Sequence, residues 1–310
     1  MQFDTTQTSS RPPAPGHDRS APPICFIGLG AMGTPMLNHL LRHGCSARVY
    51  ARSAASRDAA LSLGIEPSHS PAEAARHAQF VFTNVTTTED VEQVLCGADG
   101  VIHGAPRGAI CIDHSTISPE GARNIAKVLK TAGLHFLDAP VSGGVAGAQQ
   151  ATLSIMVGGE ADSFQRALAL LRLLGSNVRH VGPSGSGQVA KACNQLIQVV
   201  TIEAIAEALL FAARQGVEAH AVLDAISTGF AGSRMLDLMG PKMADRDFRA
   251  GIEARLHAKD FGLIAASAQA VGLRLPALEQ VRQQLDALMR AGWGRDDTSS
   301  LLRVLEAQQQ

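Results

Sequence analysis

ICFIGLGAMGTPMLNHLLRHG, residues Ile24–Gly44, decides the architecture. The apolar run Ile24–Ile27 reads as a short buried strand, and Met36, Leu37, Leu40 and Leu41 mark one face of a helix. Between them lies Gly28-Leu29-Gly30-Ala31-Met32-Gly33. A GxGxxG alone is a weak signal; with a strand before it and a helix after it, it predicts a dinucleotide-binding turn. Gly28 permits the tight turn, Gly30 lets the backbone approach a pyrophosphate, and Gly33 allows close helix–strand packing. Leu29, Ala31 and Met32 complete the loop, and the helix N-terminus supplies unpaired N–H groups and a positive dipole end for the phosphates. The competing reading is a tight βα turn without a ligand.

The pattern continues outward. Ala47–Tyr50 is predicted to be the second strand, ending at Ala51-Arg52-Ser53. An acidic side chain at that end would take the 2′-OH of NAD. Arg52 and Ser53 instead suit a 2′-phosphate, with no carboxylate to repel it, so NADP is expected and NAD remains open. Further strands are expected at Phe80–Val85, Ala109–Ser115, His135–Ala139, Thr152–Val157 and Asn177–Val181. Helices are expected around Glu89–Leu95, at Pro119–Ala132 and at Ala161–Leu174. Alternating strands and helices imply βαβ units, a parallel sheet, and a ligand beyond the strands' carboxyl ends. Those ends carry Asn84-Val85-Thr86, Asp113-His114-Ser115-Thr116 and Asp138 through Ser142-Gly143-Gly144. A Ser-Gly-Gly turn offers a hydroxyl and unhindered N–H groups, the parts needed to hold a carboxylate; an ordinary glycine-rich turn has the same composition.

Gly182-Pro183-Ser184-Gly185 breaks this pattern and marks the expected domain boundary. From Gly187 no strand pattern remains. VAKACNQLIQVVTIEAIAEALLFAARQG, Val189–Gly216, has helical spacing and almost no polar side, so it is predicted to be a central strut roughly 40 Å long, buried all round. Glu203, Glu207 and Arg214 argue against a membrane span. Lys191, Asn194 and Gln195 share one face at its start. Only five of the chain's 27 basic residues are lysines. Burial can make a lysine release its proton and cannot do so for arginine, which makes Lys191 the leading catalytic candidate against a snorkelling lysine at a helix end. Helices are expected at Ala219–Ser227, Ser233–Met239, Ile252–Val271, Pro276–Ala291 and Thr298–Ala307. Lys259 and Asp260 interrupt an apolar stretch in one of them, as a ligand contact or a solvated pair. His114 and His257 lie near the expected cleft without a triad partner.

The expected organisation is therefore a disordered, proline-rich tail over residues 1–22, an α/β domain with a Rossmann-type doubly wound sheet over 23–183, and an all-helical domain over 184–310 joined by the long interdomain helix. The tail lacks the apolar core of a secretory signal. A formal net charge of −1 gives no field for nucleic acid or a membrane surface. Five scattered cysteines without a CxxC read as free thiols of a reducing compartment, hence a cytoplasmic protein. No His/Cys/Asp spacing suggests a metal. A buried strut and an all-helical domain lead to the expectation of a homodimer or homotetramer.

FIGLGAMGTPM, IDHSTISP, DAPVSGGVAGAQQATLSIMVGG, GSGQVAKACNQ and HAKDFG, in this order, resemble the 3-hydroxyacid dehydrogenases, the family of 3-hydroxyisobutyrate dehydrogenase and tartronate semialdehyde (2-hydroxy-3-oxopropionate) reductase. The resemblance runs from Ile24 over nearly the whole chain; the stretch Gly229–Phe248 is similar to the reductase subgroup. It implies a catalytic lysine at Lys191 with Asn194 beside it, a substrate-carboxylate loop at Ser142, Gly143 and Gly144, and a Ser-Thr pair at Ser115 and Thr116 that serves substrate and cofactor. It further implies a second lysine near the nicotinamide at Lys259, and Phe230 lining the substrate cleft. Asn84, Val85 and Thr86 would meet the cofactor, although the family's leucine-proline is Val85-Thr86 here. Ala51 replaces an asparagine, Ala151 a glycine, and Gln195 a second asparagine. The implied reaction moves a hydride between NADP(H) and a small hydroxy acid or aldehyde acid. Lys191 as ammonium would protonate the growing alkoxide, or as amine act as base in the reverse direction, and Asn194 as its catalytic partner would orient the reacting oxygen. The rival readings are an NADPH-dependent imine reductase on the same fold and a non-catalytic NADP-binding protein.

Overall fold

The structure is a computed structural model and describes residues 22–309. The expected tail therefore lies outside the described residues, apart from Pro22. The sheet half runs β1 (Ile24–Ile27), α1 (Gly33–Arg42), β2 (Ala47–Tyr50), α2 (Ala54–Ser62), α3 (Pro71–Ala75), β3 (Phe80–Thr83), α4 (Thr88–Cys96), β4 (Ile110–Asp113) and α5 (Pro119–Thr131). It continues with β5 (His135–Asp138), β6 (Val141–Ser142), α6 (Gly144–Gln150), β7 (Ser154–Gly159), α7 (Ala161–Leu171) and β8 (Asn177–Gly182). The helical half comprises α8 (Ser186–Arg214), α9 (Ala219–Ile226), α10 (Arg234–Ala244), α11 (Ala254–Ala270), α12 (Pro276–Arg290) and α13 (Leu301–Ala307).

Strand order is β2-β1-β3-β4-β5-β7-β6, with β8 on β7. The first five strands are parallel, as their crossover helices require. The expectation of a wholly parallel sheet fails at β7, which runs antiparallel to β5 and β6. β6 is only two residues long, and α6 behind it turns the chain straight back along β5, so no crossover intervenes. Cores form on both faces of the sheet: Phe26, Phe82 and Ile112 point to one side, Ile27, Val81 and Cys111 to the other. Side-chain oxygens of Ser53, Ser70, Thr87 and Ser118 cap α2, α3, α4 and α5, which explains where these helices begin. α10 outruns the expected stop at Met239 and contains Pro241.

The strut is real but not buried all round. Ile202, Ile205, Ala206 and Leu209 enter the core of the helical half, whereas Ile197 and Phe211 are exposed. Ser186–Arg214 is long and apolar enough to cross a membrane, yet it is packed against α10, α11, α12 and α13. Composition shows that a helix is apolar; it does not show which of its faces this chain covers.

α8 is seated on the sheet by its first turn. A Cβ at Gly187 would lie 2.4 Å from the Asp138 carbonyl oxygen and 2.5 Å from that of Met156, so only glycine allows the approach. No side chain of the helix's own caps this end. Asp138, at the end of β5, does so instead: Gly185 N–H donates to Oδ1 at 2.8 Å and Gln188 N–H to Oδ2 at 3.0 Å. A carboxylate against a helix N-terminus is stabilised by the unpaired N–H groups and the dipole.

Candidate active site

The carboxyl ends of three strands form one row. Thr83 pairs in register with Asp113, and Asp113 with Asp138, all three fully buried. Asp113 Oδ1 accepts from Thr83 Oγ1 at 2.7 Å and from Ser115 Oγ at 2.7 Å. Ser115 Oγ in turn accepts from Val85 N–H at 2.9 Å. The row thus holds the loops after β3 and β4 in fixed relation. Burial pushes the Asp113 carboxyl up to about 7, against the opposing effect of these hydrogen bonds.

The glycine loop fits a dinucleotide. At Gly28 (φ +95) a Cβ would lie 2.1 Å from the Asn84 carbonyl oxygen, and at Gly33 a Cβ would lie 2.0 Å from that of Gly28. Both glycines are demanded by protein packing. Gly30 is not: nothing lies within 4 Å of where its Cβ would be. Space that no protein atom fills, over the N-terminus of α1, suits a phosphate pressed against backbone N–H groups. Ala31 is exposed, Met32 half-buried, and Leu29 points into the core, so Leu29 can offer only its backbone.

Arg52 follows β2, and Ser53 caps α2 by accepting from Ser56 N–H. The expectation that Arg52 has no carboxylate nearby does not hold. Arg52 Nη1 lies 2.9 Å from Asp90 Oδ1 of α4, a pairing made by the fold across 38 positions of sequence.

The strut's first turns complete the site. Lys191 is 8% exposed, and its Nζ donates to the Val141 carbonyl oxygen at 2.9 Å. That carbonyl directly precedes Ser142-Gly143-Gly144, where Gly143 (φ +134) and Gly144 (φ +62) take conformations that favour glycine. Burial lowers the Lys191 ammonium to about 8, with the Asp260 carboxylate partly opposing and Lys259 assisting. Lys259 Nζ donates to the carbonyl oxygens of Thr116 at 2.7 Å and Thr86 at 3.1 Å, tying the loops after β3 and β4 to α11. It also lies 3.1 Å from Asp260 Oδ1, an ion-pair contact without hydrogen-bond alignment.

The fold thus ties Lys191 to the backbone just before the Ser142 turn and Lys259 to the loops after β3 and β4 that carry Thr86 and Thr116, while Asn194 lies one helical turn beyond Lys191 and bonds Gln195 and Gln198. Phe230 is the exception. It is fully exposed on the turn between α9 and α10, where Gly232 N–H bonds back to the Gly229 carbonyl oxygen, and it lines no cleft of this chain. Sequence reasoning missed Gln188, whose Nε2 donates to the Ser115 carbonyl oxygen at 2.8 Å and whose Oε1 accepts from Ile117 N–H at 3.2 Å. Its place three residues before Lys191, on the same helix face, was the available signal. Gln198 and His257 were missed as partners too: Gln198 Nε2 lies 3.4 Å from His257 Nε2.

A buried amine of lowered pKa, bonded to the backbone just before a glycine turn, is a group able to exchange a proton near pH 8. Residues 23–182 match the family of the NAD-binding domain of 6-phosphogluconate dehydrogenase, and residues 185–305 the NAD-binding family of NADP-dependent 3-hydroxyisobutyrate dehydrogenase. The chain belongs to the 3-hydroxyacid dehydrogenase family. It is 39% identical to the 2-hydroxy-3-oxopropionate reductase of Escherichia coli, over 91% of this chain and 96% of that one. It is 35% identical to the 3-hydroxyisobutyrate dehydrogenase of Pseudomonas aeruginosa, over 82% and 87%. A structure of Mycobacterium tuberculosis 3-hydroxyisobutyrate dehydrogenase with L-serine superposes with a TM-score of 0.85 at 32% identity, over 92% of this chain and 99% of that one. Like other members of the family, the protein is an oxidoreductase that uses a nicotinamide cofactor.

Proposed function

We propose that this 3-hydroxyacid dehydrogenase uses NADP(H) and interconverts a small 3-hydroxy acid with its aldehyde acid, with 2-hydroxy-3-oxopropionate or 3-hydroxyisobutyrate as the leading substrates. The observation that carries this reading is Lys191: buried, lowered to about 8, and anchored to Val141 one residue before the Ser142-Gly143-Gly144 turn.

The cofactor's residues are the backbone of Gly28–Gly33 for the pyrophosphate, Arg52 and Ser53 for the 2′-phosphate, and Asn84, Val85, Thr86 and Thr116 with Lys259 for the nicotinamide half. When bound, the nicotinamide supplies or accepts the hydride. Ser142, Gly143 and Gly144 hold the substrate carboxylate, and Thr116 borders the same space. The Thr116 hydroxyl makes no hydrogen bond among the described residues, which leaves it free for a ligand. Lys191 has three donors as ammonium. Val141 takes one, and the reacting oxygen takes another. In reduction Lys191 stabilises developing negative charge on that oxygen and gives it a proton; in oxidation the free amine removes the proton. Asn194 orients the substrate beside it.

Turnover of 2-hydroxy-3-oxopropionate, 3-hydroxyisobutyrate and cyclic imines with NADPH and NADH side by side tests the reading. Activity on an aldehyde acid with NADPH supports it. Turnover of cyclic imines alone would transfer the chain to imine reduction, and no turnover of any would leave a cofactor-binding protein. The apolar exposed side of α8, with Val189, Ile197 and Phe211, supports a homodimer or homotetramer. The five unpaired cysteines support a cytoplasmic location.

A further inference from the structure

The hydrogen bonds around Asn194 run in one direction only. Asp260 Oδ2 is a carboxylate oxygen and accepts, so the group 2.7 Å away on Gln195 is the donor Nε2. Gln195 therefore turns its Oε1 to Asn194, and Asn194 Nδ2 donates to it at 2.8 Å. The second N–H of Nδ2 goes to Gln198 Oε1 at 3.3 Å. A separate chain of groups requires the same orientation. His257 is buried, which pushes its imidazole down to about 4 and leaves it neutral at pH 7. Its Nδ1 lies 2.7 Å from Thr298 Oγ1, whose own proton faces the Ile252 carbonyl oxygen at 3.5 Å. Nδ1 then carries the ring proton and Nε2 presents a lone pair. Gln198 Nε2 faces that lone pair, so Gln198 Oε1 faces Asn194. Both Asn194 donors are committed, and its Oδ1 accepts no hydrogen bond from the described residues. Asn194 itself is only half-buried, so Oδ1 is open to a ligand.

We infer that Asn194 meets the substrate as an acceptor only, and so selects substrates with a hydrogen-bond donor, a hydroxyl or an ammonium, on the carbon between the carboxylate and the reacting carbon. This rests on the proposed function. In that reading the carboxylate and the carbonyl being reduced are both acceptors and cannot satisfy Oδ1, and in oxidation the reacting hydroxyl gives its one proton to the Lys191 amine. On a three-carbon acid only the substituent of the middle carbon is left. Gln195, Gln198, His257 and Asp260 are positioning residues: they touch no substrate and hold the amide of Asn194 one way round. Gln195 has one methylene more than an asparagine would, and with it reaches Asp260 across to α11.

The test is oxidation of racemic glycerate and serine, which carry the donor, against 3-hydroxypropionate and 3-hydroxyisobutyrate, which lack it. Wild type is expected to favour the donor-bearing pair at least about tenfold in kcat/KM, the scale of a hydrogen bond left unmade in a polar pocket. Asn194→Leu is expected to bring that ratio to within about threefold of unity, with the loss on glycerate far exceeding the loss on 3-hydroxypropionate. Gln195→Leu combined with Gln198→Leu frees both Nδ2 protons, lets the amide turn, and is expected to lower the ratio without removing the Asn194 side chain. A wild-type ratio near unity, or an equal loss on both kinds of acid in both variants, overturns the inference and leaves the proposed function standing. So does a selective rise in NADPH Kd in Asn194→Leu, which would make the cofactor the donor. No turnover of any of the four acids by wild type overturns both.

Discussion

Lys191 Nζ donates to the Val141 carbonyl oxygen at 2.9 Å, and this one bond joins the strut to the turn that begins at Ser142. The buried amine and the Ser142-Gly143-Gly144 turn are thereby set in register by a backbone atom, which no side-chain substitution at residue 141 removes. The bond also gives the buried ammonium one partner in a place where an unpaired charge would be costly.

Lys191→Met keeps most of the apolar stem and removes the amine. kcat is expected to fall by at least about 10²–10⁴, the usual scale of general acid–base assistance. NADPH affinity, measured by fluorescence titration, is expected to stay within about threefold. Stability moves the other way. Burial holds the folded-state pKa near 8, against an ordinary value of 10.5 for the unfolded chain, so the charged form favours unfolding. That cost is full below pH 8 and vanishes as pH rises past 10.5. Lys191→Met is therefore expected to raise the Tm at pH 7, by an amount equivalent to at most about 3 kcal/mol. A variant that keeps near-normal turnover would remove Lys191 from the mechanism.

The same pKa sets the direction of the pH profiles. Reduction needs the ammonium, so its kcat/KM is expected to fall tenfold per unit above about pH 8. Oxidation needs the amine, so its kcat/KM is expected to rise with pH and level off above about 8. Two profiles with the same slope would show that another group titrates.

Much of this site was legible in the sequence because its parts are local. A strand, a GxGxxG and a helix lie within one run of 21 residues, and Lys191 and Asn194 share a face by helical spacing alone. What was not legible depends on tertiary contact. Asp90 reaches Arg52 only because β2, which ends before Arg52, and β3, which leads into α4, lie parallel on either side of β1. Gln198 and His257 belong to different helices, and nothing in either segment names the other. β6 has two residues, too few for a period-two pattern, so the reversal of β7 that follows it carries no sequence signature. The uncovered side of the strut escapes for a related reason: hydropathy reports the composition of a face and not its neighbour.

The Arg52–Asp90 pair bears on cofactor choice. Arg52 is largely exposed, and an exposed ion pair contributes little, about 0–1 kcal/mol. A 2′-phosphate carries more charge than Asp90 and offers Arg52 a bidentate partner. Arg52→Ala is expected to weaken NADPH at least about tenfold while NADH changes less than about threefold. Asp90→Asn is expected to tighten NADPH a few-fold by releasing the guanidinium and removing a negative charge. Equal changes for both cofactors would show that Arg52 does not read the phosphate.

Ala151 supplies a prediction about the backbone. It ends α6 with φ 55 and ψ 36, the left-handed region that favours glycine. A Cβ in that region presses on the following carbonyl oxygen and costs roughly 1–2 kcal/mol. Glycine escapes the clash and gives back part of the gain through the larger entropy of its unfolded chain. Ala151→Gly is therefore expected to stabilise the protein by about 1 kcal/mol in urea unfolding, with an unchanged m-value. Because α6 starts at Gly144 and ends here, a tighter cap also fixes the Ser142-Gly143-Gly144 turn at its far end, and KM for the acid substrate is expected to fall or hold while NADPH affinity does not move. A loss of stability would mean that Ala151 makes packing contacts worth more than the strain it carries.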